Sequence, residues 1–300
     1  MKILISGASG FVGTALTAAL RAEGHTVARL VRPGGVASEG DVQWDPATAI
    51  IDTSAMEGAE AVVNLSGANI AAFRWTGWQK RHLRASRIGA TRILVDSISR
   101  LRVKPRVFVS ASAIGYYGDR GDKVLTESNG PGAGFLSKLA RDWEAEAGRA
   151  EMNGIRTVIL RFGVILSAKG GALPKMLAPF RLGLGGRLGD GNQWLSWIAL
   201  EDALGVIRSA IANDQIRGPL NAVAPNPVQN SEFTRVVSTL LHRPAFFPVP
   251  VFVLRLLLGR MADELFLASQ RVRPERLLAA GYAFRHENLE SALKAMLEKK

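Results

Sequence analysis

The 300-residue chain contains no cysteine. That absence excludes a disulfide framework, a thiolate-ligated zinc or iron–sulfur centre and a cysteine nucleophile, and it suits a reducing, cytoplasmic setting. Histidine is scarce too. His25, His82, His242 and His286 are dispersed without metal-ligand spacing, so no metal site is expected. Long apolar runs are missing as well: the most apolar stretch, Val249–Leu258, is short and contains Arg255, whereas a membrane span needs roughly 20 residues. At the N-terminus, Gly7, Ser9, Gly10 and Gly13 interrupt what would otherwise resemble the apolar core of a signal peptide, and this region reads as strand, loop and helix. No membrane association is expected. With 47% hydrophobic and 21% charged residues, the composition is that of a folded globular protein rather than a disordered or fibrous one.

Charge of one sign dominates a single window. The net charge is +12, and between Arg74 and Arg106 ten lysines and arginines face one acid, Asp96. A nucleic-acid footprint is one reading of such a window. Against it, no nucleic-acid motif is present and aromatics do not interleave with the charges. The better expectation is a solvated helix face beside a site for a small polar or anionic substrate, whose phosphates would meet Arg74, Lys80, Arg84 or Arg87.

The first half alternates short β-branched runs with apolar-periodic helices, the pattern of an α/β protein with a doubly wound parallel sheet. Strands are expected at Lys2–Ser6, Thr26–Val31, Ala61–Leu65, Arg106–Ser110 and Thr157–Arg161, and helices at Val12–Glu23, about Trp78–Leu101 and Leu136–Asn153. Beyond Arg161 come glycine- and proline-rich loops. The expected organisation is a Rossmann-type domain over 1–248 with an interleaved substrate lobe, mainly 163–195 and 219–248, and a C-terminal helical segment over 249–300.

Gly7-Ala8-Ser9-Gly10-Phe11-Val12-Gly13 comes directly after the first strand and opens the first helix. Glycines there permit a tight turn, close backbone approach to a pyrophosphate and close helix–strand packing, while free N–H groups at the helix start face the phosphates. Gly7, Ser9, Gly10, Phe11, Val12 and Gly13 are therefore expected to bind a dinucleotide. At the end of the second strand an NAD-binding protein usually offers an acid to the ribose hydroxyls; this chain offers Arg29 and Arg32. Guanidinium groups suit a 2′-phosphate, so NADP(H) is the expected cofactor, unless both arginines simply face solvent. Leu65-Ser66-Gly67, the small polar end of an apolar run, fits a backbone passing under the cofactor.

These segments, with Val109-Ser110-Ala111-Ser112 and Leu160-Arg161-Phe162-Gly163-Val164, resemble the extended short-chain dehydrogenase/reductase superfamily, in particular its nucleotide-sugar epimerase group. Gly170-Gly171-Ala172-Leu173, Gln193-Trp194-Leu195-Ser196-Trp197-Ile198, Asn221–Pro227 and Leu267–Val272 are similar to an epimerase-family subgroup with a C-terminal domain of unknown function. The resemblance spans essentially the whole chain. It implies a Rossmann fold with an interleaved substrate lobe, NADP(H), and an oxidoreductase or nucleotide-sugar-type epimerase. Some relatives are labelled cell-division inhibitors, which keeps open a catalytically degenerate, NADP(H)-binding regulatory protein. A homodimer is compatible with either.

The superfamily's proton-exchanging tyrosine stands four residues before a lysine, on the same helix face. None of the three tyrosines here meets that rule: Tyr116 is followed at that spacing by Arg120, Tyr117 by Gly121 and Tyr282 by His286. The resemblance aligns Lys138 with the lysine, as a ribose ligand or else a solvated helix residue, and puts Gly134 at the tyrosine position. Ser112 fits the superfamily serine. Tyr116 and Tyr117, in the next loop, stand either as replacements for the missing phenol or as pocket-wall residues. Ala199 occupies a position where relatives commonly carry histidine, Arg260 one where glutamate is usual, and Asp202 is expected to cap the helix next to it.

Overall fold

The computed structural model describes residues 1–298. Two compact units are each assembled from separate stretches of chain. One comprises Met1–Ser112, Leu139–Leu160 and Ile207–Pro219; the other comprises Ala113–Lys138, Arg161–Val206 and the chain from Leu220 onward.

An eight-stranded sheet has the order Gly218–Ala222, Arg156–Phe162, Val107–Ala113, Ala61–Asn64, Lys2–Ser6, Thr26–Val31, Val42–Asp45, Ile50–Ile51. Lys2–Ser6 pairs in parallel with both neighbours, Ile3 opposite Val27 on one side and Leu4 opposite Val62 on the other. Successive strands are added outward on one side, then the chain crosses back and builds the other. The strand order reverses beside Lys2–Ser6, the kind of switch point at whose carboxyl strand ends α/β sheets generally bind ligands. Strand interiors such as Ile3-Leu4-Ile5 and Val62-Val63 are wholly buried, as expected when helices cover both faces of a parallel sheet. The short antiparallel pair Val42–Asp45 with Ile50–Ile51 went unread in the sequence because so few residues carry it.

Around this sheet, Leu4, Val62, Phe108, Trp44, Met56, Leu94 and Ile98 form one core. Each such side chain stabilises the fold by about 1.5–3 kcal/mol through removal from water. The helix expected at about Trp78–Leu101 is a helical path in three pieces: Gly77–Arg84, a π-helical turn at Ala85–Gly89, and Ala90–Ser99. Lys80 and Arg84, four residues apart, lie in the first piece, whereas Arg87 lies in the π-helical turn, where an inserted residue shifts the helical phase.

The second unit has its own cores. Leu173, Leu177, Phe180, Trp197, Phe233, Val237, Leu289 and Leu293 form the larger one, and Ile114, Tyr117, Leu125, Val223 and Val272 a smaller one. Residues 249–298 contribute to this unit: Leu289–Glu298 packs on Asn230–Leu241, and Arg271–Val272 pairs in parallel with Val124–Leu125. Asp202 corrects one expectation. It lies within the helix Leu200–Ala212, and its carboxylate accepts from the backbone N–H groups of Arg285 (2.8 Å) and His286 (3.0 Å), pinning the C-terminal segment instead of capping its own helix. Ala199 is buried in the larger core.

Candidate functional site

In the first unit the glycine loop is held open by sterics. Gly7 has a φ of +71°, and a Cβ there would lie 2.6 Å from the carbonyl oxygen of Leu65. A Cβ on Gly13 would fall 2.2 Å from Gly7 O. Neither clash is tolerable, so only glycine lets the loop fold back against the first turn of Phe11–Ala22. Gly10 begins that helix without a side-chain cap. Its leading N–H groups therefore lack intrahelical partners and face the loop, where the helix carries a partial positive charge of roughly half a unit. Ser9 and Gly10 are exposed, and Phe11 and Val12 are half-buried.

Gly7 and the Leu65-Ser66-Gly67 turn are brought together by Asn64, a buried hub that sequence reasoning passed over. Its Oδ1 accepts from Ser6 Oγ (2.7 Å) and Ser66 N (3.2 Å), while Nδ2 donates to Thr91 Oγ1 (2.7 Å) and Ser110 Oγ (3.2 Å). A polar side chain ending an apolar strand was the available signal. Beneath Gly67 lies Arg87. Its guanidinium donates to Ala68 O at 2.9 Å and rests over the Trp143 ring at 5.4 Å. Burial without an acidic partner lowers its pKa to about 10, which still leaves it charged at neutral pH.

The two arginines at the second strand differ sharply. Arg29 is tied to Asp41, which accepts from its Nε at 3.1 Å and its Nη2 at 2.5 Å, and Nη2 also reaches Ser38 Oγ. Arg32 is exposed and makes no ion pair among the described residues. In the basic window Arg84 pairs with Asp142, Arg92 with Glu146 and Arg106 with Asp214, while exposed Arg74, Arg81 and Arg100 make no ion pair among the described residues. Ser112, buried near the end of Val107–Ala113, donates to Glu144 Oε1 at 2.6 Å.

In the second unit a 3₁₀ turn, Ile114–Tyr117, presents the two tyrosines in different environments. Tyr117 is fully buried; its hydroxyl donates to Asn221 Oδ1 at 2.7 Å and accepts from Arg161 Nη1 at 2.9 Å. Burial raises its phenol above the ordinary value, and nearby Arg161 only partly offsets this. Tyr116 is half-buried, with the Arg161 guanidinium 3.6 Å from its ring centroid, and its hydroxyl makes no hydrogen bond among the described residues. Ser137 Oγ bonds the carbonyls of Tyr116 (2.7 Å) and Gly132 (2.9 Å), fastening this turn to the start of the helix Phe135–Gly148. Lys138 sits exposed one turn into that helix. At Gly134, the position without a tyrosine, φ is +97° and a Cβ would lie 2.8 Å from Glu264 Oε2. No local sequence signal marked Glu264, because its role depends on a segment remote along the chain.

Among the described residues, no cluster of three or more His, Asp or Glu side chains is arranged to hold a metal ion. No described helix is long and apolar enough to cross a membrane.

Residues 3–222 match the NAD dependent epimerase/dehydratase family, and residues 249–296 match a domain of unknown function, DUF1731. Epimerase family protein Mb2239 of Mycobacterium bovis is 43% identical, over 97% of this chain and 96% of its own length. The crystal structure of human epimerase family protein SDR39U1 (isoform 2) with NADPH superposes with a TM-score of 0.90 at 35% identity, covering 100% of both chains. That of the nucleoside-diphosphate sugar epimerase from Corynebacterium glutamicum gives a TM-score of 0.83 at 36% identity, over 99% of this chain and 58% of the other.

Proposed function

The chain belongs to the NAD dependent epimerase/dehydratase family, and from that premise we propose that it binds NADP(H) and acts as an oxidoreductase or nucleotide-sugar-type epimerase without a Tyr-x-x-x-Lys pair. The observation that carries the reading is the bare backbone cradle at Gly7–Gly13. A Cβ at Gly13 would collide with Gly7 O at 2.2 Å, and the uncapped helix start supplies N–H donors of the kind a pyrophosphate takes. These residues fit the dinucleotide, and the human relative's structure with NADPH supports the choice of cofactor.

In this reading Gly7, Ser9, Gly10, Phe11, Val12 and Gly13 hold the pyrophosphate and Leu65-Ser66-Gly67 forms the floor beside it. Exposed Arg32 takes the 2′-phosphate, while Arg29 braces the loop through Asp41. Lys138 holds the nicotinamide ribose. Ser112 and Tyr116 orient a small polar or anionic substrate; Tyr117, with its phenol committed to Asn221 and Arg161, shapes the wall. The bound dinucleotide supplies hydride transfer. We place the protein in the cytoplasm and allow it a homodimeric form.

A second reading, a regulatory protein whose output tracks NADP(H) occupancy, draws support from Gly134 at the tyrosine position. Purified protein separates the two. NADPH binding monitored by fluorescence, with oxidation of NADPH by a carbonyl panel or interconversion of labelled UDP-sugars, is the expected result. Binding with no turnover across both panels would favour the regulatory reading, and no binding would sink both.

A further inference from the structure

The helix Val251–Leu258 turns apolar side chains to solvent. Leu254 is its buried residue, whereas Phe252 (69% exposed) and Leu256 (73% exposed), four residues apart and so on one face, stand in water with Leu257 beside them. A surface helix ordinarily carries polar residues there. Arg255 is the one polar residue of this helix, and Asp263 pairs with it.

Two further segments of the same compact unit continue this surface. Phe246 (80% exposed) and Phe247 stand just before the helix. Leu182 and Leu184, also exposed, lie on the chain leading into Gly186–Gly189, which is bonded alongside them. Val249 N–H donates to Arg187 O at 2.8 Å, and Gly189 N–H donates to Val249 O at 2.9 Å. Gly186 sits so close to the Phe247 carbonyl that a Cβ would collide with it. The apolar area these side chains expose is on the order of 700 Å², above the roughly 300–600 Å² of the largest patch on a typical monomer.

Charge and backbone chemistry decide what covers such a face. The stretches 181–190 and 242–260 carry five arginines and one acid, Asp190. Arg181, Arg187, Arg243 and Arg260 are exposed and make no ion pair among the described residues. The Asp190 carboxylate accepts from the backbone N–H (3.0 Å) and side-chain amide (3.1 Å) of Asn192. A second copy seated here about a twofold axis would set the arginines against their own counterparts, with Asp190 as the one acid to answer them. A protein partner also needs hydrogen bonds, about one per 100–200 Å². Pro244, Pro248 and Pro250 lack N–H donors, and the phenylalanines and leucines offer no polar atoms. An anionic lipid surface makes no such demand: its acyl boundary takes Phe and Leu side chains, and its phosphates take arginines.

We propose that the face carrying Leu182, Leu184, Phe246, Phe247, Phe252 and Leu256 rests on an anionic bilayer, with Arg181, Arg187, Arg243 and Arg260 at the headgroups. Lying on a bilayer needs an apolar face and cations, not a membrane span. The contact is reversible, weakens as salt rises, and is independent of the dinucleotide reading.

The test is co-sedimentation of the full chain with vesicles of phosphatidylcholine, alone or with about 30% phosphatidylglycerol. Wild type is compared with three variants: Phe252→Ser with Leu256→Ser, Phe246→Ser alone, and Arg181→Gln with Arg243→Gln. All five positions are exposed, and thermal unfolding checks that each variant folds; Phe246→Ser, outside any helix, carries the apolar comparison if the paired serine variant does not. Wild type should bind the phosphatidylglycerol vesicles at least about tenfold more tightly than phosphatidylcholine alone, and less tightly as salt rises. The paired serine variant should lose about tenfold or more, and the glutamine variant should lose the preference for phosphatidylglycerol. The assignment is overturned if wild type does not sediment with phosphatidylglycerol vesicles, if it binds both vesicle types equally, or if the folded serine variants bind within about threefold of wild type. A dimer in analytical ultracentrifugation that the serine variants dissolve, without vesicle binding, also overturns it and gives the face to a second copy.

Discussion

The hydroxyl of Tyr117 donates to Asn221 Oδ1 at 2.7 Å in a fully buried setting, with Arg161 Nη1 completing its hydrogen bonds at 2.9 Å. Asn221 in turn donates from Nδ2 to Arg273 O at 2.9 Å and from its backbone N–H to Glu127 Oε1 at 2.9 Å. The phenol is therefore a structural member of a buried polar network, while its neighbour Tyr116 keeps a hydroxyl without a hydrogen bond among the described residues.

Replacing Tyr117 by phenylalanine is expected to cost about 1–3 kcal/mol, because the Asn221 acceptor and one Arg161 donor are left unpaired out of reach of water. Thermal unfolding should show it as a lower midpoint, with NADPH affinity unchanged. An equal loss of affinity and stability would contradict the purely structural role.

Gly13→Ala and Gly89→Ala should differ in sign. The first puts a methyl 2.2 Å from Gly7 O and must displace backbone, at a cost of about 2–4 kcal/mol and with loss of dinucleotide binding. The second meets nothing within 4 Å at helical dihedrals, φ −61° and ψ −49°. It should be neutral or stabilising by up to about 1 kcal/mol. Urea unfolding of the two variants measures both.

Arg32→Ala is expected to weaken NADPH binding about 10- to 100-fold, the scale of one charge-assisted contact, while NADH affinity stays within about threefold. Arg29→Ala should act differently, loosening the Val36–Asp41 loop by removing the partner of a buried carboxylate. Titration of both coenzymes against both variants checks this; equal losses for NADH and NADPH at Arg32 would remove the phosphate assignment.

Stability should depend on acid through Asp41. Burial pushes its carboxyl up, but hydrogen bonds from the Arg29 side chain, the Ser38 N–H and the Arg29 N–H outweigh that and hold it below the usual aspartate value. A depressed carboxyl contributes stability that is fully present above the unfolded value, about 3.9, and is lost as pH falls through the folded one. Wild type and Asp41→Asn should therefore differ most in stability above about pH 4 and converge below it. A difference that stays constant with pH would exclude the linkage.

Much of the fold was legible along the chain. The strands Lys2–Ser6 and Thr26–Val31 were read to the residue, because buried parallel strands must be continuous apolar runs and the glycine spacing marks where the first one turns into a helix. The long helix was legible as helix but not its π-helical turn, since hydrophobic periodicity does not distinguish one inserted residue from ordinary drift. The basic window was legible as charge only: the acids that pair with part of it, Asp142, Glu146 and Asp214, lie far along the sequence.

The sequence by itself determined that residues 7–13 form a tight glycine turn on a strand–helix junction, since its requirements are local: backbone dihedrals and the absence of Cβ atoms. It also determined that Tyr-x-x-x-Lys is missing. Only the tertiary structure decided that Arg29 is bound to Asp41 while Arg32 is not, that Tyr117 is locked to Asn221 and Arg161, and that Glu264 fills the space at Gly134. Each of those is a pairing between residues remote along the chain, chosen by burial. An unpaired polar group inside the protein costs about 1–3 kcal/mol, and the partner that relieves it is wherever the fold brings one within hydrogen-bond reach.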